Sequence, residues 1–219
     1  MKKVILTAVG TAGILSGTAM ADTLYDNGGP NGVNGYSNGT AGVFSGSYRH
    51  LFDDFVLSED STLQDFHWSS VWGTPGIPLP AGSSMELSFR SDAGGMPGVP
   101  VASASITGYS EVGTGEIYFS RERADHWVTF EDIDLSAGTY WFEANVVGPE
   151  NNFWLTADQQ NSECWVDYQD LGGFQSGTQQ FGAASDLTFY VTGVTATPAP
   201  GALALLGLAG IAGRRRRRA

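Results

Sequence analysis

Apolar and polar residues alternate most cleanly in Met85-Glu86-Leu87-Ser88-Phe89, where Met85, Leu87 and Phe89 share one face of an extended segment. The same period of two runs through residues 140–146, setting Tyr140, Phe142, Ala144 and Val146 inward and Trp141, Glu143 and Asn145 outward. It returns over residues 187–191, with Leu187, Phe189 and Val191 inward. Residues 54–57 and 63–68 alternate too, and residues 117–119 and 127–130 do so more weakly. Residues 26–47 are punctuated by Gly and Asn, which tolerate positive φ, and read as a loop-rich entry rather than a helix. No stretch between the two ends of the chain has a sustained helical period with caps, and no solenoid or propeller repeat is visible. Short strands spaced by turn residues predict an all-β domain over residues 22–196, an antiparallel β-sandwich or jelly roll.

The ends break this pattern. Met1-Lys2-Lys3 precedes an apolar run over residues 4–15, and Ala19-Met20-Ala21 has the small-x-small form that signal peptidase accepts. Residues 1–21 therefore read as a signal peptide with a helical apolar core; as a membrane span the run is short of the ~20 residues required. At the other end, Thr197-Pro198-Ala199-Pro200 leads into an apolar stretch over residues 201–212, then Gly213 and Arg214, Arg215, Arg216, Arg217 and Arg218. A short apolar helix followed by arginines is held at the inner membrane with the arginines on the cytoplasmic side. Residues 197–219 resemble the PEP-CTERM class of bacterial sorting signals, built from a Pro-containing motif, a short apolar helix and an Arg cluster. The motif here is Pro198-Ala199-Pro200, without the glutamate usual between the prolines. The resemblance implies processing by an exosortase-type membrane protease, transient insertion in the inner membrane, final placement at the cell surface or extracellular matrix, and association with exopolysaccharide. A plain short membrane anchor is the other reading of the same residues.

Charge sharpens the picture. Seven of the 11 basic residues belong to the two ends, so residues 22–196 hold four arginines and no lysine against all 23 acidic residues, a net charge of −19. Such a field repels a phosphate backbone and an anionic membrane surface, which argues against nucleic acid as a partner. The acidity either keeps an exported protein soluble or gathers divalent cations, hard ions that prefer oxygen ligands. The single cysteine, Cys164, has no partner for an internal disulfide, so stability rests on packing and on any bound ion.

Five short motifs follow in order: Tyr25-Asp26-Asn27-Gly28, Asp53-Asp54-Phe55, Ser91-Asp92-Ala93-Gly94-Gly95-Met96-Pro97-Gly98, Leu135-Ser136-Ala137-Gly138-Thr139-Tyr140-Trp141 and Asp186-Leu187-Thr188-Phe189. The series is similar to one in exported β-sandwich domains that carry sorting tails of this kind, and it implies the fold rather than an activity.

Candidate chemistry is sparse. His50, His67 and His126 are far apart in sequence with no metal-ligand spacing, and no GxSxG elbow occurs. Asp53 with Asp54, and Glu131 with Asp132 and Asp134, are the carboxylate groupings that a secreted glycan-active enzyme would need, although neighbours on a strand face opposite ways. Asp26 and Asn27, in a flexible turn, offer oxygen ligands for a structural Ca²⁺, and Asp53, Asp54 and Asp186 could join them if the first and last strands pair; Asx-turn capping explains the same residues without metal. Tryptophans present flat faces to sugar C–H groups, and Trp72, Trp141, Trp154 and Trp165 are the candidate carbohydrate-binding residues, the alternative being that they fill the core. The sequence thus points to a non-catalytic exported surface or matrix protein with exopolysaccharide as candidate ligand; a glycan-active enzyme or a purely structural, Ca²⁺-stabilised surface protein are the alternatives.

Overall fold

A computed structural model describes residues 21–39, 47–73, 84–147 and 151–196. Residues 1–20, on which the signal-peptide expectation rests, and Pro198, Pro200 and the five terminal arginines lie outside the described residues. Among the described residues no helix is long and apolar enough to cross a membrane.

The chain is all-β. In order come β1 (Asp22–Asp26), β2 (Gly35–Asn38), β3 (Arg49–Leu57), β4 (Ser61–Trp72), β5 (Ser84–Asp92), β6 (Pro97–Ile106) and β7 (Ser110–Tyr118). Then follow β8 (Arg121–Leu135), β9 (Gly138–Val147), β10 (Asn152–Ala157), β11 (Trp165–Tyr168), β12 (Gly173–Ser176), a one-turn helix α1 (Gly177–Phe181), β13 (Asp186–Leu187) and β14 (Phe189–Thr195). One sheet of six strands runs β12-β11-β3-β9-β5-β6. The other, of eight, has the path β1-β14-β4-β10-β13, with β8 on β4, β7 on β8 and β2 on β10. All pairings are antiparallel, and β1 pairs with β14.

The two inner faces meet in a β-sandwich core. Phe66 and Phe189 of the eight-stranded sheet stack with centroids 5.6 Å apart, and Phe142 of the six-stranded sheet stacks on Trp154 at 5.4 Å. The inward sets read from alternation are in place: Met85, Leu87 and Phe89, then Phe142, Ala144 and Val146, then Leu187, Phe189 and Val191 are all buried, with half-buried Tyr140 packed against them. Burying a large apolar side chain is worth ~1.5–3 kcal/mol, so this interdigitated set carries the fold without a disulfide; Cys164 is buried and free.

Within the loop-rich entry, Gly35–Asn38 form β2 and pair with β10. One expectation needs correction. Trp141 does lie on the outer face of its strand, yet it is fully buried there, with its Nε1 held by Asp92 Oδ1 of the turn after β5.

Candidate functional site

The outer face of the six-stranded sheet brings together the most chemically varied surface of the described residues. Antiparallel register sets Trp165, Phe52, Glu143, Ser88 and Ser103 in one row across five strands. One step along, Phe174, Asp167 and His50 form a second row. Alternation explains the choice: Leu51, Val166 and Ala144, the neighbours in sequence or register, are fully buried in the core, so the residues between them must point away from it.

Glu143 is the centre of this face. Its Oε1 lies 2.6 Å from His50 Nδ1, and its Oε2 accepts from Ser88 Oγ and Arg90 Nε, both at 2.8 Å. Burial raises the carboxyl, but the donors His50, Ser88 and Arg90 outweigh it and lower its pKa to about 2. Glu143 is thus a fixed anion. A depression of about 250 Å³ beside it is lined by His50, Glu86, Ser88 and Ser103. Asp167 is raised, by burial first and by the nearby Glu143 charge, against the pull of His50 and Arg90.

Aromatic residues flank the polar centre. Trp165 stacks on Phe174 with centroids 4.8 Å apart, and Phe174 is 46% exposed at the edge strand β12. Phe174 meets Phe52 edge-on at 5.5 Å, and the Arg90 guanidinium lies over the Phe52 ring at 5.6 Å. Of the four candidate tryptophans, Trp165 alone belongs to this surface. Trp154 is core, donating to Thr188 O at 2.8 Å; Trp72 is buried with its Nε1 on Glu111 Oε2 at 2.6 Å; Trp141 donates to Asp92 Oδ1 at 2.9 Å. Buried indoles have no free face for a sugar, which corrects the expectation for these three.

Four of the five candidate metal residues gather where β1, β3 and β13 come together. Asn27, Asp53, Asp54 and Asp186 are all buried. Asn27 Nδ2 donates to Asp53 Oδ2 and Leu187 O, while Asp53 also accepts from the backbone of Asp54 and Leu187. Burial first, then the charge of Asp186, pushes Asp54 up to about 7 and Asp53 well above the usual carboxylate range; burial raises Asp186 too. Asp26 stands apart. It is exposed and caps its own turn through Gly28 N at 2.8 Å. No three His, Cys, Asp or Glu side chains among the described residues close around one point.

The catalytic groupings fare differently. Asp53 faces the core and Asp54 the outside of β3, as alternation requires, so they do not address one substrate. Asp132 and Asp134 instead accept from Gln64 and Thr62 on the neighbouring strand. Sequence reasoning missed a buried relay: Ser70 Oγ lies 2.6 Å from His126 Nε2, and His126 Nδ1 lies 3.3 Å from Glu111 Oε2. Ser70 Oγ also accepts from Asn152 Nδ2 at 2.7 Å, and with a second lone pair and its own proton it can accept from or donate to the imidazole according to the tautomer. Burial lowers the His126 pKa to about 3, holding the ring neutral. With Ser70 and Asn152 fully buried, the cluster offers no nucleophile to solvent, and it leaves His126 Nδ1 and Asn152 Oδ1 without a hydrogen bond.

Glu143 was visible in the sequence as an outward position of β9. Phe174, Arg90 and Asp167 carry no local signal, and His50 has no metal-ligand spacing; a lone aromatic after two glycines and scattered polar residues acquire meaning only through strand order. No protein-family model matches the chain, and no curated protein is found to be similar to it.

Proposed function

We propose that this protein is a non-catalytic, exported β-sandwich that binds polysaccharide at the cell surface or in the extracellular matrix through the outer face of its six-stranded sheet. The observation that carries the reading is the row Trp165–Phe52–Glu143–Ser88, aromatic at one end and hydrogen-bonding at the other. Sugar rings need both: a flat π face for C–H groups and fixed acceptors and donors for hydroxyls. Here Trp165 with half-exposed Phe174 supplies the first, and Glu143, His50, Arg90 and Asp167 the second. A net charge of −19 over residues 22–196 selects neutral glycans over anionic ones, and excludes nucleic acid as a partner.

Export rests on residues 1–21, and sorting by an exosortase-type protease rests on residues 197–219. A jelly-roll winding fits the pairing of the first strand with the last. The experiment is a pull-down of the purified protein on insoluble neutral polysaccharides, with a glycan array in parallel. Retention that falls at least tenfold in Trp165→Ala and Phe174→Ala, but not in Trp127→Ala on the other sheet, is expected. Absence of retention on every polysaccharide would remove the binding role.

A further inference from the structure

The connection from β10 to β11 crosses from the eight-stranded sheet to the six-stranded one, and it is tied down by carboxylates from both. Gln160 N donates to Asp186 Oδ2 at 2.6 Å, and the backbone N–H of Ser162 serves Asp54. Between them, Asn161 Nδ2 donates to Asp54 O at 3.2 Å and to Tyr25 Oη at 2.9 Å. Three oxygens are left over. Asp54 Oδ1, Asp186 Oδ1 and Asn161 Oδ1 are each shut off from solvent without a hydrogen-bond partner. Asp186 is fully buried and Asp54 is 2% exposed. Residues 22–196 contain no lysine that could neutralise them.

Leaving two carboxylate oxygens and an amide oxygen buried and unpaired is costly, of order 1–3 kcal/mol each and more when charged. All three are hard donors of the kind Ca²⁺ takes, and the residues are neighbours: the Asp186 charge acts on Asp54, and the Asn161 amide bonds Asp54 O. The remaining two of the buried group are spoken for: Asp53 accepts at both oxygens, and Asn27 Oδ1 accepts from Tyr25 Oη at 2.8 Å.

We propose that Asp54, Asp186 and Asn161 hold one Ca²⁺ ion that staples the β10–β11 connection to both sheets. Two carboxylates and one amide oxygen are a partial shell; backbone carbonyls and water complete the six to eight ligands. Asp54 lies two residues beyond Phe52 on the same outer face of β3, past the rows that carry the glycan reading, and the Ca²⁺ test below reads melting rather than glycan retention.

The test is thermal melting of the purified protein at pH 8 in EDTA, in 5 mM CaCl₂, and in NaCl of matched ionic strength. Ca²⁺ should raise the Tm by about 5 °C or more above the NaCl sample. Asp186→Asn and Asp54→Asn should abolish that rise. Asn161→Ala, which removes one neutral ligand and keeps both carboxylates, should weaken half-saturation by Ca²⁺ at least threefold and so covers the case in which an Asp variant fails to fold. A Tm that Ca²⁺ raises no further than NaCl overturns the proposal. So does a Ca²⁺ response unchanged in all three variants.

Discussion

Glu143 illustrates how a single residue serves fold and surface together. Its three donors, His50, Ser88 and Arg90, are side chains on the two flanking strands, so the carboxylate clamps β3 and β5 to β9. Hydrogen bonds to a charged group are worth about 1.5–3 kcal/mol, and Glu143 is 17% exposed, so Glu143→Gln should cost about 2 kcal/mol at pH 7. The pH dependence has a definite sign. A carboxyl lowered to about 2 in the folded protein contributes fully above its ordinary pKa near 4.5, and that contribution disappears as pH falls through about 2. Urea melts of the two proteins at pH 7 and pH 2 should therefore differ at the first pH and converge at the second. The buried relay makes another residue-scale prediction. Ser70→Ala strips His126 Nε2 and Asn152 Nδ2 of their partner and should cost about 1–3 kcal/mol, read from the same denaturation curves.

At the scale of the elements, what could be read depended on burial pattern. β5 and β9 bury one face against the core, and their alternation is plain in the sequence. β10 is buried at five of six positions and the end of β4 at every position, because both faces are covered there; no period of two survives. The helix α1 had a readable signature, the capping box of Ser176 and Gln179 with Gly182 left-handed at its end, but five residues are too few for a helical period. The irregular places carry their own constraint. At the register shift between Thr192 and Gly193, β14 comes so close to β4 that a Cβ on Gly193 would collide with Thr62 O and sit 2.9 Å from Leu24 Cδ1. Backbone cannot yield as a flexible side-chain tip can. Gly193→Ala should therefore destabilise by about 2–3 kcal/mol, seen as a lowered urea midpoint with an unchanged slope.

For the whole molecule, 23 acidic residues against four arginines between residues 22 and 196 impose self-repulsion that packing must offset. Raising NaCl from 0.02 to 0.5 M should increase the Tm by a few degrees as the Debye length shrinks from about 20 to about 4 Å, and a Tm that falls would show that ion pairs outweigh repulsion. Fold class was legible from alternation alone, and so was the gathering of Asn27, Asp53, Asp54 and Asp186 once first and last strands were expected to pair. The proposed glycan face was not. It depends on β11 and β12 lying beside β3, a long-range order that places Phe174 within reach of Phe52 and that nothing local in Gly173–Ser176 encodes.

Backbone-amide NMR shifts of the isotope-labelled protein, followed while a soluble neutral oligosaccharide is added, test the binding face most directly. Saturable changes confined to β3, β9, β11 and β12, centred on His50, Glu143, Trp165 and Phe174, are the expected result. Saturable changes centred instead on β7, β8 and β14 of the opposite sheet would contradict the assignment.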